Sequence, residues 1–83
     1  MFTVYVIRSR RHKATLYVGH TKDLFTRLLQ HNRGHVHTTA ADRPWATQLE
    51  YRTHTRGEAV RLERQLKSFI RTTKTIPSSG KPN

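Results

Sequence analysis

The sequence predicts one small α+β domain of order ββαβα, with a three-stranded antiparallel sheet flanked by helices. Three observations point there. Two β-rich segments, 2–7 and 15–18, are separated by a short basic stretch; two apolar stripes of helical spacing follow, at 24–29 and 59–70; and a run that alternates in polarity lies between the stripes. With 83 residues there is material for one core and no more.

The elements follow in order. Phe2-Thr3-Val4-Tyr5-Val6-Ile7 has hardly a polar break, as in a strand covered on both faces. Residues 8–14 are basic with no apolar side chain before Ala14, and Thr15-Leu16-Tyr17-Val18 then closes on Gly19, so the two segments read as a hairpin. A loop centred near Arg11 sets Tyr5 opposite Tyr17, and directly opposed residues project to one face. Thr21 or Asp23 can cap a helix whose stripe is Leu24, Phe25, Leu28 and Leu29, and Gly34 supplies a left-handed stop. Residues 35–44 lack periodicity and read as a loop ending at Pro44. From Trp45 to Thr53 the chain alternates, with Trp45, Thr47, Leu49 and Tyr51 on one side and Gln48, Glu50 and Arg52 on the other. Thr55-Arg56-Gly57-Glu58 matches a capping box, and the helix it opens carries Ala59, Val60, Leu62, Leu66, Phe69 and Ile70 through about residue 71. Residues 72–83, rich in Thr, Ser, Pro and Lys, have little to bury, so the domain is expected to occupy 1–71 with a disordered tail at 72–83.

Sixteen Lys and Arg against five Asp and Glu leave a net charge of +11. Such an excess repels itself in the folded state and suits a polyanionic partner, nucleic acid before an anionic membrane surface. The first apolar run is too short for a membrane span or a signal peptide. The absence of cysteine excludes a disulfide scaffold and thiolate zinc sites and fits a reducing compartment. The expectation is a soluble cytoplasmic protein.

A few residues break the pattern. Glu63 lies on the apolar stripe of the second helix, four after Ala59 and three before Leu66, where an unpaired carboxylate costs several kcal/mol. It reads either as a functional carboxylate at a polar cleft or as an edge position paired with Arg64, Lys67 or another base. Arg27 and His31, one turn apart, flank the first helical stripe, where they either face the sheet or form ordinary solvated flank. His20 follows the glycine that ends strand two, a position suited to a bound phosphate or to a merely polar loop residue. His31, His35 and His37 fit a zinc site only weakly, with no acid near them in sequence. Asp23 and Glu58 are engaged at helix starts, Glu50 belongs to an exposed strand face and Asp42 to a loop. Any metal chemistry therefore relies on one ion held by Glu63 and otherwise by water and phosphate oxygens.

Thr3-Val4-Tyr5, Tyr17-Val18-Gly19, Arg27, His31-Asn32, Pro44-Trp45 and Glu63-Arg64-Gln65-Leu66-Lys67, in this order and spacing, resemble the GIY-YIG nuclease family, and most of all its small free-standing members. The resemblance runs from about residue 2 to residue 70. It implies a metal-dependent DNA endonuclease using one Mg²⁺ or Mn²⁺ ion. Tyr5 and Tyr17 would be the signature tyrosines that orient or deprotonate the attacking water, Arg27 would stabilise the scissile phosphate, and Glu63 would bind the metal. His31 matches a helix position that carries histidine or tyrosine, and His20 one where some branches carry lysine. Thr3 stands in place of the first glycine of the name motif and valine in place of isoleucine in both halves. The asparagine that excision-repair members place after the second helix has no counterpart, and no specificity domain is attached. Substrate choice, whether single-stranded or structured DNA, then falls to the domain's own basic surface, a homodimer or a partner protein. The alternative is a non-catalytic nucleic-acid-binding protein that retains the fold.

Overall fold

The computed structural model of the chain describes residues 1–73, in the order β1 (Phe2–Ser9), β2 (Leu16–Thr21), α1 (Leu24–Asn32), a 3₁₀ turn (His37–Asp42), β3 (Trp45–Thr53) and α2 (Arg56–Thr73). The sheet is antiparallel in the order β2-β1-β3, so the α+β class and the ββαβα order expected of the sequence are those of the structure. Alternation along the central strand divides the interior in two. Val4 and Val6 join Val18, Leu49, Ala59 and Leu66 beneath α2, whereas Tyr5 and Ile7 join Trp45 and half-buried Tyr17, Leu24 and Leu28 beneath α1. A strand segment buried on both faces has little use for polar positions, which is why Val4–Ile7 of β1 reads as an unbroken apolar run. No helix of the described residues is long and apolar enough to cross a membrane.

Local chemistry fixes the helix ends. The Asp23 carboxylate accepts from the Thr26 amide at 3.2 Å and from the Thr26 hydroxyl at 2.7 Å, which starts α1 at Leu24 and makes Asp23 the cap rather than Thr21. At the other end Gly34 sits at φ 79°, its amide bonds the His31 carbonyl, and the His35 amide reaches back to Gln30, a Schellman closure. The capping box of α2 forms as expected, with the Glu58 amide on the Thr55 hydroxyl at 3.1 Å and Glu58 Oε1 on the His54 and Thr55 amides.

Several expectations need correction. Tyr5 pairs with Gly19 and Tyr17 with Ile7, so the hairpin is centred on His12 instead of Arg11. Moving the centre by one residue moves the register by two, which keeps both tyrosines on one face but makes them diagonal neighbours. In β3 the register steps from Val6↔Leu49 to Ile7↔Thr47, and the bulge at Gln48 reverses the side-chain alternation. Trp45 therefore packs under α1 while Leu49 and Tyr51 pack under α2, although strict alternation assigned them one side. On α1 the inward face is Leu24, Arg27, Leu28 and His31; Phe25 is 75% exposed and Leu29 also lies outside. The nine-residue helix satisfies two competing stripes, and the polar one at i, i+3, i+4, i+7 faces the sheet because His31 finds buried partners there. Phe69 is exposed as well, and α2 continues to Thr73, two residues past its expected end. Residues 74–83, most of the expected tail, lie outside the described residues. Part of the expected loop 35–44 is the 3₁₀ turn, followed by a cis Arg43–Pro44 peptide.

Candidate active site

Tyr5 starts on the central strand, yet its ring reaches the edge strand. Gly19, its cross-strand partner, makes this possible: a Cβ there would stand 2.7 Å from the Tyr5 hydroxyl oxygen and 3.1 Å from the Tyr17 ring. The missing side chain is the space the phenol occupies. Tyr5 and Tyr17 lie with ring centroids 6.3 Å apart, and the His31 ring meets Tyr5 at 5.8 Å and Tyr17 at 5.0 Å, both edge to face. Trp45 closes this aromatic wall, 6.4 Å from Tyr17.

His31 is fully buried and both of its ring nitrogens are used. Nε2 meets the Tyr5 hydroxyl at 2.9 Å and Nδ1 meets the Thr39 hydroxyl at 2.8 Å. Burial, helped by the charge of Arg27, lowers the His31 pKa to about 4, so the imidazole is neutral at physiological pH. Burial also raises the Tyr5 pKa, against the opposing pull of Arg27, and keeps the phenol protonated at rest. The half-buried Arg27 is steadied by the Gln30 side-chain oxygen at 3.0 Å. Among the described residues the Tyr17 hydroxyl has no hydrogen bond.

On the other face of the sheet, His20 Nδ1 lies 2.6 Å from Glu63 Oε1, and Lys67 Nζ lies 2.8 Å from Glu63 Oε2. Burial works to raise the Glu63 pKa, but Lys67 and His20 outweigh it and the carboxyl falls below its usual range. Glu63 is thus both an oddity of the core stripe and a paired residue, with Lys67 and His20 as its bases and not Arg64. The tyrosines face α1 rather than α2, so the two groups of residues do not share one face of the sheet. They converge around its β2 edge. The charges of Arg27 and Glu63 act on the Tyr5 phenol in opposite directions, and His20 and Arg27 line a cavity of about 400 Å³ with Phe2, Lys22, Gln30 and Arg56, among others, a lining that does not include the tyrosines, His31 or Glu63. A larger, more open hollow of about 680 Å³ beside Asn32 and Arg43 touches none of these chemical groups.

Of the residues singled out in the sequence, Tyr5, Tyr17 and His31 form one cluster, His20 and Glu63 another, and Arg27 lies between them. His35 and His37 are exposed and stay apart from His31, whose nitrogens are both engaged; among the described residues no three His, Cys, Asp or Glu gather where a metal could be held. Glu63 alone fits one hard cation. It is ionised, and each carboxylate oxygen accepts a single bond and keeps a lone pair. Thr39 gave no sequence signal of a role at the site, since it sits in an aperiodic segment, whereas Lys67 is one of the bases the sequence offered as a partner for Glu63.

No curated protein matches the chain closely enough to count as a relative. The model of the GIY-YIG catalytic domain matches residues 1–75, nearly the whole chain, a family that is usually made up of nucleases. Phenols on the first two strands, an arginine on the first helix and a carboxylate on the second all lie within that match, and the chain belongs to the GIY-YIG family.

Proposed function

We propose that the protein is a divalent-metal-dependent endonuclease that hydrolyses phosphodiester bonds of single-stranded or structured DNA at the β2 edge. One observation carries this reading: the Tyr5–His31 pair, Arg27 and the Glu63 carboxylate converge around one edge of a chain of net charge +11. Nucleases of this family generally depend on a divalent ion.

A phosphodiester's negative charge repels a nucleophile, so hydrolysis needs a deprotonated water, cations on the phosphoryl oxygens and a proton for the leaving oxygen. Tyr5 takes the water's proton on its phenol oxygen as its own hydroxyl proton passes to His31 Nε2, 2.9 Å away, giving the ring a charge that burial disfavours at rest and that only the anionic phosphate bound at the site offsets. The water oxygen bonds to phosphorus, the bond from phosphorus to the leaving oxygen breaks, and that oxygen takes a proton from the His20 imidazole at the rim. Tyr17 orients the water from the adjoining wall. Arg27 holds a non-bridging oxygen, with Lys22 and Arg56 lining the same cavity. Glu63 would hold one Mg²⁺ or Mn²⁺, which when bound draws charge from the phosphoryl oxygens. The absence of cysteine suits a cytoplasmic setting, and substrate choice falls to the basic surface, a second copy or a partner protein.

The deciding experiment is incubation with single-stranded, duplex and branched DNA, with and without Mg²⁺. Ion-dependent cleavage of at least one substrate is expected. Binding without cleavage of any would favour a non-catalytic nucleic-acid-binding protein, a reading to which the engagement of Glu63 by Lys67 and His20 lends weight.

A further inference from the structure

Thr39 is 1% exposed and uses every polar group it has. Its hydroxyl lies 2.8 Å from His31 Nδ1 and 3.3 Å from the Val36 carbonyl. Its amide donates to that same carbonyl at 3.1 Å, and its own carbonyl accepts from the Trp45 indole at 3.0 Å. The backbone bonds and the indole pin the residue in place, so its hydroxyl cannot turn away from His31.

We infer that Thr39 is a positioning residue for hydrolysis, its hydroxyl holding the hydrogen of His31 on Nδ1 so that Nε2 is left to receive the Tyr5 proton. The inference rests on the proposed role of Tyr5 as acceptor of the water's proton. It rests on one assignment of hydrogens. Of the two partners of the Thr39 hydroxyl the Val36 carbonyl can only accept, and with the hydroxyl's one proton assigned to it the oxygen accepts from His31. Nδ1 must then carry the single hydrogen of the neutral ring, and Nε2 is bare. The Tyr5 hydroxyl donates to it, which turns the phenol's lone pairs away from the ring, free to accept a proton from water. In the opposite tautomer Nε2–H would donate to the phenol oxygen, and His31 would have nowhere to accept the Tyr5 proton. The residue that sets the tautomer thereby sets the direction of the proton path.

The test is imidazole ¹⁵N NMR of His31 in the folded protein, with DNA-cleavage kinetics beside it, on wild type, Thr39→Ser and Thr39→Val. Wild type and Thr39→Ser should show the Nδ1–H tautomer. In Thr39→Val, which keeps the shape and lacks the hydroxyl, the buried Nδ1–H loses its acceptor, so the ring should shift to Nε2–H. Its kcat should drop about 10- to 100-fold while KM for DNA changes little, and Thr39→Ser should restore most of the rate. An Nε2–H ring in wild type overturns the inference, as does an Nδ1–H ring in Thr39→Val or a Thr39→Ser as impaired as Thr39→Val. Should Thr39→Val fail to fold, the wild-type tautomer and the Thr39→Ser rate still decide. Should wild type cleave no DNA at all, the proposed function falls, while the tautomer measurements still show whether Thr39 sets the state of His31.

Discussion

Acid should weaken this fold from the inside, through His31. The folded pKa of His31 is about 4, against about 6.5 for an unfolded chain, so between these values the unfolded protein binds a proton that the folded protein refuses. Stability is therefore fully present above about pH 6.5 and falls as the pH drops through the window, by at most about 1.4 kcal/mol per pH unit and about 3 kcal/mol in all. In a domain held by roughly 5–15 kcal/mol that is a large share, equivalent to a fall in Tm on the order of 15 °C. Urea unfolding in steps from about pH 7.5 to about pH 4.5, on wild type and His31→Gln, measures the effect. The variant should begin less stable, because Tyr5 and Thr39 lose a partner, but its curve should lack this slope. Parallel pH profiles, or a flat wild-type profile across the window, would refute the argument. Glu63 contributes separately: its folded pKa is depressed, so its share is present above about 4.5 and goes only as the pH falls further.

Glu63→Gln should cost about 1–2 kcal/mol, the sum of one charge-assisted bond to His20 and a largely exposed pair with Lys67, and should abolish cleavage at every Mg²⁺ concentration. A destabilised variant that still cleaves would sink the metal assignment. Arg27→Ala should lower kcat about 10²-fold or more while affinity for DNA, measured by gel shift, falls far less. Equal losses in both would make Arg27 one phosphate contact among many. Gly19→Ala pushes the Tyr5 hydroxyl from its place, and a shift of about 1 Å there should cost about 10²-fold in rate, read beside an unfolding curve that confirms the fold. Phe25→Ala should change stability by less than about 0.5 kcal/mol and Leu24→Ala by about 2 kcal/mol, a contrast that tests which face of α1 is buried.

The sequence was most legible where one physical rule acted alone. Every helix and strand was readable in kind and order, because capping groups, Gly34 and period-2 alternation are local signals, but β2 runs through Gly19 to Thr21 and takes in His20, past the glycine read as its end, because the pairing with β1 continues there. What failed was orientation. The α1 stripe misled because Phe25 and Leu29 satisfy helical spacing as well as Leu24 and Leu28 do, and only the buried partners of His31, eight and twenty-six residues away, decide between the faces. Glu63 stood out as a violation of its stripe, but its partner His20, forty-three residues away, leaves no trace at any short spacing. Thr39 was silent for a different reason: a threonine in an aperiodic segment looks the same whether or not it holds an imidazole.

The bulge at Gln48 lets one strand answer to two masters. Upstream of it Trp45 belongs to the layer that holds the phenols; downstream Leu49 and Tyr51 belong to the layer under α2. An engineer could therefore redesign the apolar part of the α2 layer for durability, changing 49 and 51 together with Ala59 and Leu66 while keeping Glu63, and leave the phenol layer untouched. Shortening the strand by the one surplus residue would do the reverse, turning its first half inside out and evicting the indole. In this fold a deletion at Gln48 is more dangerous than almost any substitution there.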